Sequence, residues 1–465
     1  MLPPGQTVTE ERMDENEKKS ELRMFYTTLA FLAVPIIFQD ILNSLVNMMD
    51  TVMVGQLGLA EITSVGLANQ VFFLFVLFVF GVNSGSSIFM GQFWGKKDVK
   101  NLHKTMGICF GLTLSIALAF FIIAFFFPEV VMNIYSKGDQ KVITYGCQYL
   151  RIICFSYFLT AISLTLSFSL RSTGQTYLTF ITTLVALICN TALNYLFIFV
   201  MHMGVRGSAL ATVIARVTEL TVLLILIKRL QLPMLGKLSE YFAADRAFLK
   251  EFIRITLPVF VNEGVWAIGT SMYNVAYKFT GTEGQGAVQI ANTVQNLFQV
   301  MGMAVGSACA VMLTNALGAG EVPRAIRFSR RCMRLGAFFS VVMGIILVLV
   351  SPYLISIFNV SDAVKHTAFL IICVIAVAMT LKTLNYINIV GILRSGGDTK
   401  FCLVLDMLAV WFVGVPLVFL GAYVLHFPIF IVVAMVYGED ITKFLFAFKR
   451  VISNIWARNV VDNLS

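Results

Sequence analysis

The chain has 465 residues, of which 58% are hydrophobic and 13% are charged, with a mean hydropathy of +0.84. Soluble proteins carry charges on about a quarter of their residues, so this composition excludes a soluble class and indicates a protein that crosses the membrane several times. The formal net charge is +9. Because this surplus lies in loops between apolar segments, it gives no argument for nucleic-acid binding.

Twelve apolar segments in the sequence are predicted to cross the membrane as helices, because each has about 20 or more mostly apolar residues. In chain order, spans 1 to 12 cover residues 25–53, 62–93, 104–128, 142–170, 176–201, 207–230, 250–278, 286–317, 333–358, 364–392, 400–424 and 428–448. Lysine and arginine cluster after the even-numbered spans, on the same side as the N-terminus. Positive residues in short loops stay in the cytoplasm, so we expect a plasma-membrane protein with both termini cytoplasmic.

The second half of the chain repeats the first at an offset of 223 residues, without a gap. Residues 170–176, LRSTGQT, return as residues 393–399, LRSGGDT, while Asp40 returns as Glu263. Two such membrane units often form a secondary transporter with a central site between them. We therefore predict an all-α polytopic fold of two six-helix bundles. Its domains are a disordered cytoplasmic tail (1–23), an N-terminal lobe (24–230), a cytoplasmic linker (231–249), a C-terminal lobe (250–450) and a second cytoplasmic tail (451–465).

Motifs for ATP hydrolysis, catalysis and metal binding are absent from the sequence. No G-x-x-x-x-G-K-[ST] segment occurs, so uphill transport would draw on an ion gradient or on a separate subunit. The four histidines and eight cysteines are scattered without catalytic or ligand spacing. We therefore predict neither an enzyme nor a cofactor, and we interpret the cysteines as packing residues and not as a disulfide framework.

A polar stripe runs along span 1. Asp40, Asn43, Asn47 and Asp50 are spaced so that they lie within about 80° of one another on one helix face. Ionisable groups at membrane depth cost about 2.5 to 3.5 kcal/mol each and commonly line a cavity or an ion path. The alternative is that Asp50 lies near the outer end of the helix and only caps or solvates it.

Spans 5 and 6 each carry polar residues on one face. Asn190 and Asn194 lie four residues apart in span 5, and Thr212, Arg216 and Glu219 share a face of span 6. Amide, hydroxyl and carboxylate oxygens are suitable ligands for a hard cation such as Na⁺. One alternative is that the amides bond neighbouring helices, and another is that Arg216 and Glu219 neutralise each other.

In span 7 the repeat places Glu263 at the position of Asp40, with Trp266 and Tyr273 on the same face. An acid beside aromatic rings suits an organic cation through charge and cation–π attraction. The alternative is that these aromatic residues pack in the core or lie at the membrane interface.

Later spans add further charges. Lys382 in span 10 has no evident local partner, whereas Glu439 and Lys443 in span 12 lie four residues apart and are spaced to pair. We treat Lys382, together with Arg216 and Glu219, as a secondary candidate for a functional role.

Together these features resemble the multidrug and toxic compound extrusion (MATE) family. The resemblance covers nearly the whole chain and rests on Pro35 with residues 50–55 (DTVMVG), 66–70 (GLANQ), 91–95 (GQFWG) and the two L-R-S-x-G-x-T segments. It implies a V-shaped pair of six-helix bundles that exchanges a drug-like cation against inward H⁺ or Na⁺.

The resemblance also implies an ion site. Asp50, fifteen residues after Pro35, would be the coupling acid, and Asn190, Asn194 and Thr212 would complete the site. With Na⁺ as the ion, Asp50, Asn190 and Asn194 would be its ligands, and Pro35 would let span 1 bend. Part of the family has Asp where this chain has Asn194, so a two-carboxylate proton site is not implied.

We predict a secondary active multidrug efflux transporter, a monomer in the lipid bilayer, that exports small cationic or amphiphilic compounds in exchange for H⁺ or Na⁺. Asp40 and Glu263 would face each other across a central substrate cleft, although Glu263 lies about a turn from the span 7 glutamate of many family members. The cleft would also include Asn43, Asn47, Trp266 and Tyr273. The alternative is a flippase or exporter of a lipid-linked or other amphiphilic metabolite, and an anionic headgroup would then favour arginines inside the cleft.

Overall fold

The structure is a computed structural model that describes residues 15–136, 139–358 and 360–464, with the side chains of Asn47, Tyr135, Thr282 and Asn463 outside that description. The N-terminal lobe contains α1 (Glu15–Gly55), α2 (Leu59–Gly95), α3 (Val99–Phe126), α4 (Pro128–Ser136), α5 (Gln140–Ile153), α6 (Phe155–Ser172), α7 (Thr176–Asn194) and α8 (Gly204–Arg229). Helix α7 continues as π-helical turns over Tyr195–Val200.

The C-terminal lobe follows a short linker helix and has the same order of long helices. The elements are α9 (Leu238–Tyr241), α10 (Arg246–Tyr277), α11 (Gly281–Gly318), α12 (Val322–Ser356), α13 (Asp362–Tyr386), α14 (Thr399–Leu408), α15 (Val415–Phe419) and α16 (Ile429–Ile452). A 3₁₀ turn over Lys278–Thr280 separates α10 from α11. Helix α13 continues through π-helical turns (Ile387–Leu393) into a 3₁₀ turn (Arg394–Gly396), and π-helical turns follow both α14 (Ala409–Gly414) and α15 (Leu420–Val424).

Every predicted span corresponds to a helix or to helices in series, which confirms the all-α fold class. Ten described helical segments are long and apolar enough to cross a membrane, and the pair α5 and α6 brings the number to eleven. The remaining predicted span forms α16, whose apolar sequence is interrupted by Glu439, Asp440 and Lys443. Span 4 consists of two helices in series, because α5 and α6 are bent by 48° at Cys154.

The apolar cores show where the two lobes are joined. One core lies wholly within the N-terminal lobe and another wholly within the C-terminal lobe. The other two cores lie at the end that carries both chain termini, and each contains residues of both lobes. There Phe25 of α1 packs against Phe328 of α12, and Phe89 of α2 stacks on Phe252 of α10. The lobes therefore share packed cores at this end, which we call the joined end, and have separate cores at the other.

Two glycines related by the repeat set the closest approach between the lobes. A Cβ atom added at Gly95 of α2 would overlap the carbonyl oxygen of Asn315, and one added at Gly318 of α11 would overlap that of Gln92. Gln92 and Asn315 are themselves separated by the repeat offset. The ends of α2 and α11 thus cross backbone to backbone, as only residues without side chains permit.

The prediction of a disordered tail over residues 1–23 is wrong for residues 15–23, which belong to α1. Their order is explained by ion pairs across the lobes: Glu21 lies 3.0 Å from Arg327 and 2.9 Å from Arg331 of α12. Residues 1–14 lie outside the described part of the chain.

The predicted C-terminal tail also packs against the protein. Trp456 is fully buried. The side chain of Gln92 donates to the carbonyl oxygens of Ser395 (2.8 Å) and Arg458 (3.3 Å), and it accepts a bond from the backbone N–H of Val460 (2.8 Å). The segment after α16 therefore fastens the joined end.

The predicted linker (231–249) contains α9 and the start of α10, and it is held to α3 by a 2.6 Å contact between His103 Nδ1 and Glu240. One further sequence expectation is wrong. The cysteines are not all simple packing residues, because Cys309 of α11 and Cys332 of α12 form a disulfide.

A network of buried charged and polar side chains lies inside the C-terminal lobe. Lys443 Nζ of α16 lies 3.1 Å from Asp406 of α14 and 3.4 Å from Glu439. Asn262 of α10 donates to the other oxygen of Asp406 (2.7 Å), and the hydroxyl of Tyr273 donates to Glu439. All five side chains are buried. The predicted Glu439–Lys443 pair is therefore one part of a network that joins α10, α14 and α16.

We expect Gly318→Ala to destabilise the protein by about 1–3 kcal/mol, because the new methyl group overlaps a backbone atom that cannot rotate away. The measurement is the thermal midpoint, Tm, of the purified protein. Gly111→Ala in α3 is the control, since a Cβ atom there meets nothing within 4 Å. Equal Tm values for the two variants would contradict the close crossing.

We expect Lys443→Met to destabilise the protein by about 3–5 kcal/mol, because it leaves two carboxylates buried without their cation. The exposed Lys449 of the same helix supplies the control Lys449→Met, which should change stability by less than about 0.5 kcal/mol. Thermal unfolding checks both, and a Lys443→Met protein as stable as its control would show that the network is not what holds these helices.

Candidate functional site

Four predicted ion-site residues form one hydrogen-bonded chain in the N-terminal lobe. The amide nitrogen of Asn194, at the end of α7, donates to Asp50 of α1 and to Asn190 Oδ1, 3.1 Å away. The amide of Asn190 in turn donates to Thr212 of α8 at 3.4 Å. Three helices that are distant in sequence thus bring these side chains together, as the resemblance implies. Their role in ion coupling stays a prediction.

This chain leaves oxygen atoms available for a ligand. Asn194 is fully buried, yet its Oδ1 has no hydrogen-bond partner among the described residues. Beside it stands the carboxylate of Asp50, whose bond is with a neutral amide. A carboxylate with amide and hydroxyl oxygens fits Na⁺, and the carboxylate alone fits a proton. Helix α7 also changes to π-helical turns directly after Asn194, a distortion frequent at functional sites.

The secondary candidates behave differently from one another. Arg216 Nη1 lies 2.7 Å from Glu219, so these residues neutralise each other. This agrees with the alternative to a functional role that the sequence offers for them. Lys382 of α13 is half-buried. Within the described ranges, no carboxylate lies at ion-pair distance from it.

Asp40 and Glu263 each pair with the arginine of their own repeat. Arg394 Nη1 donates to Glu263 at 2.8 Å, and Arg171 lies 3.9 Å from Asp40 while donating to Gln39 at 2.6 Å. The sequence analysis assigned both arginines to the loops that directly follow spans 4 and 10, but the structure places them in helix ends. Arg171 lies in the last turn of α6, and Arg394 begins the 3₁₀ turn that ends α13.

The other residues predicted for the substrate cleft do not form one cluster. Tyr273 lies in the C-terminal core, bonded to Glu439, whereas Trp266 is 42% exposed. Asn43 is exposed, and the side chain of Asn47 lies outside the described part. Pro35 lies inside α1, as predicted, and its repeat partner Pro258 lies inside α10.

Sequence reasoning missed the partners of Asp40 and Glu263. Gln39 and Arg171 return after 223 residues as Asn262 and Arg394, and the acids return with them. The joint repetition of an acid and an arginine was the signal that linked them. Asp406, by contrast, replaces Thr183 in the repeat, and nothing in its own sequence neighbourhood indicated Lys443 as its partner.

Comparison with known proteins gives the chain its family. The family described as MatE matches residues 35–196 and again residues 259–420, one stretch in each lobe. Similar proteins include the uncharacterized transporter YisQ of Bacillus subtilis, 23% identical over 434 residues, which cover 92% of this chain and 94% of that protein. The probable multidrug resistance protein NorM of Thermotoga maritima is 24% identical, with 86% of each chain covered.

The fold is also that of solved transporters. A structure described as the outward-facing conformation of a multidrug resistance MATE family transporter matches with a TM-score of 0.82 at 17% identity, covering 92% of this chain and 96% of that one. A structure of MATE in the bent conformation matches equally well. With the family matched in both lobes and the two-lobe fold in common, the chain belongs to the MATE family of membrane transporters.

Proposed function

We propose that the protein is a multidrug efflux transporter that exports amphiphilic organic compounds, cations among them, in exchange for inward H⁺ or Na⁺. Relatives named as multidrug resistance proteins support the efflux activity. The observation that carries the coupling proposal is the chain from Asp50 through Asn194 and Asn190 to Thr212, with an unpartnered buried oxygen on Asn194.

The orientation follows from the charge distribution. The loops on the side of the termini hold most of the Lys and Arg residues, so we propose that both termini lie in the cytoplasm. We also propose that the protein works as a monomer in the plasma membrane. The joined end then faces the cytoplasm, and the end with separate cores faces outside. In this state an ion from outside reaches Asp50 and the cleft discharges its substrate outward.

Coupling requires that ion binding changes the packing of α1. Binding of a proton or Na⁺ at Asp50 changes the charge of a residue that now bonds to Asn194 of α7. Pro35 lies in the same helix and lacks the N–H that would hold the preceding turn. We propose that α1 bends at Pro35 when the charge at Asp50 changes, and that this bend displaces the substrate.

A second candidate is an exporter or flippase of an acidic or lipid-linked amphiphile. The observation that favours it is the position of Arg171 and Arg394, which both line the cavity between the lobes.

We expect Asp50→Asn to abolish ion-driven efflux while the protein is still made and folded, because the amide keeps the hydrogen bond but cannot carry the charge. Dye export by cells that make equal amounts of each variant is the measurement. Asp362→Asn, at an exposed acid at the start of α13, is the control and should export like the wild type. Export by Asp50→Asn at the wild-type rate would remove Asp50 from the coupling mechanism.

The coupling ion is tested in vesicles that contain the purified protein and receive either a pH gradient or a Na⁺ gradient. Transport of a fluorescent dye against its own gradient under ΔpH alone identifies H⁺, and transport under ΔNa⁺ alone identifies Na⁺. Thr212→Ala should weaken the dependence on Na⁺ and leave a proton-driven rate largely intact, because a hydroxyl is a metal ligand but not an acid at neutral pH. No dye movement under either gradient would contradict the proposed antiport.

A further inference from the structure

A small cavity lies between the lobes near the joined end. It has a volume of about 80 Å³ and is lined by residues of α1, α2, α6, α11 and the end of α13. A water molecule occupies about 30 Å³ in the liquid, so the cavity has room for one carboxylate, phosphate or sulfonate group but not for a whole drug-like compound. It therefore accommodates one functional group of a larger ligand.

The walls of this cavity are positive and rich in hydroxyl groups. Arg171 of the N-terminal lobe and Arg394 of the C-terminal lobe both line it, and no acid does among the described lining residues. Hydroxyl groups come from both lobes, among them those of Ser84, Ser87, Ser172, Ser307, Thr314 and Tyr386. Asp40 and Glu263, which pair with these arginines, are not among the lining residues. Each ion pair therefore presents its positive member to the cavity.

The two arginines have unused hydrogen-bond donors. A guanidinium carries five N–H groups. Arg394 is only 5% exposed, and its Nη1 bonds Glu263 (2.8 Å) and Ser84 of the opposite lobe (3.4 Å), while its Nε is buried without a partner among the described residues. Arg171 likewise has a buried Nε without a partner. Glu263 accepts a hydrogen bond from Arg394 and Gln39 accepts one from Arg171, but neither guanidinium group has partners for all its donors.

We propose that this cavity binds the anionic group of an amphiphilic substrate, with Arg394 and Arg171 as its anion-binding residues. Planar guanidinium groups recognise carboxylate and phosphate oxygens through paired hydrogen bonds. The remaining wall includes Ile36, Phe80 and Phe168, which suit an apolar body next to the acidic group. The inference rests on the proposed export function and adds acidic and zwitterionic amphiphiles to its substrates.

The position of the cavity connects anion binding to the transport cycle. Arg171 and Arg394 belong to different lobes, so an anion held by both bridges the lobes while the joined end is closed. Separation of the lobes at this end would pull the two guanidinium groups apart and weaken the bond. Affinity for the anionic group therefore differs between the two states, which is what a ligand needs in order to drive a conformational equilibrium.

Rhodamine 110 and rhodamine 123 make a matched pair of probes, because they differ only in a free carboxylate against its methyl ester. Binding of each dye to the purified full-length protein is measured by fluorescence polarisation. We expect the wild-type protein to bind rhodamine 110, the acid, more tightly than rhodamine 123, the ester. Arg394→Gln should lower the affinity for the acid about tenfold or more and change the affinity for the ester less than about twofold. Equal affinity of the wild type for acid and ester would overturn the inference.

Arg394→Gln leaves Glu263 buried without its cation and risks misfolding, so two further variants are measured. Glu263→Gln frees Arg394 from its partner and should raise the affinity for the acid, a gain that misfolding does not produce. The double variant Arg394→Gln with Glu263→Gln removes both charges and should abolish the preference for the acid. A Glu263→Gln protein with unchanged or weaker preference, or a double variant that keeps the preference, would refute the site.

Two further measurements distinguish failure of the anion site from failure of the proposed export function, and a lipid headgroup from a soluble substrate. Ion-driven export of the ester without any preference for the acid would leave the proposed function standing and remove only the anion site, whereas transport of neither dye would remove the proposed function itself. To identify the source of the anionic group, the acid is titrated in bilayer discs with and without phosphatidylglycerol. Competition by that lipid in the wild type, and not in the double variant, assigns the site to a lipid headgroup, and absence of competition assigns it to a soluble substrate.

Discussion

The constraint on which this structure most depends is that a charge buried in the protein must be neutralised. Asp40 and Glu263 are balanced by the arginines of their own repeats, Arg216 by Glu219, and Lys443 by Asp406 and Glu439. Asp50 differs from these acids, because the side chain that bonds it is a neutral amide. An acid held in this way changes its charge at lower cost than one locked to a guanidinium, since no buried countercharge is left behind.

The two lobes share one scaffold and differ in the chemistry placed on it. Asp50 and Arg216 of the N-terminal lobe correspond after 223 residues to Tyr273 and Glu439. A carboxylate and an arginine are thus replaced by a hydroxyl that donates directly to a carboxylate. In the C-terminal lobe Glu439 has the Tyr273 hydroxyl as donor and Lys443 as cation, so this position is suited to rigid packing. In the N-terminal lobe Oδ1 of Asn194, next to Asp50, has no partner among the described residues.

Much of the fold follows from the sequence, because hydropathy and an ungapped repeat report on single helices and on their order. The hydrogen-bonded chain at Asp50 was also predictable, since its spacing matches a family pattern. The sequence did not predict which charged residues at the ends of the spans are buried. Arg394 was assigned to a loop because positive residues usually flank spans, and nothing local shows that a buried acid balances it. The order of residues 15–23 and of residues 458–460 depends on partners hundreds of residues away, which polar composition alone does not indicate.

The C-terminal segment has a consequence for how the protein is made. Residues 456–464 follow all the long helices that the structure describes, yet Arg458 and Val460 bond to Gln92 in the second helix of the first lobe. During translation the N-terminal lobe can insert and pack early, but the surface around Gln92 is not covered until residues 456–464 have been synthesised. Until then the side-chain amide of Gln92, which is buried in the folded protein, lacks these partners and stays accessible.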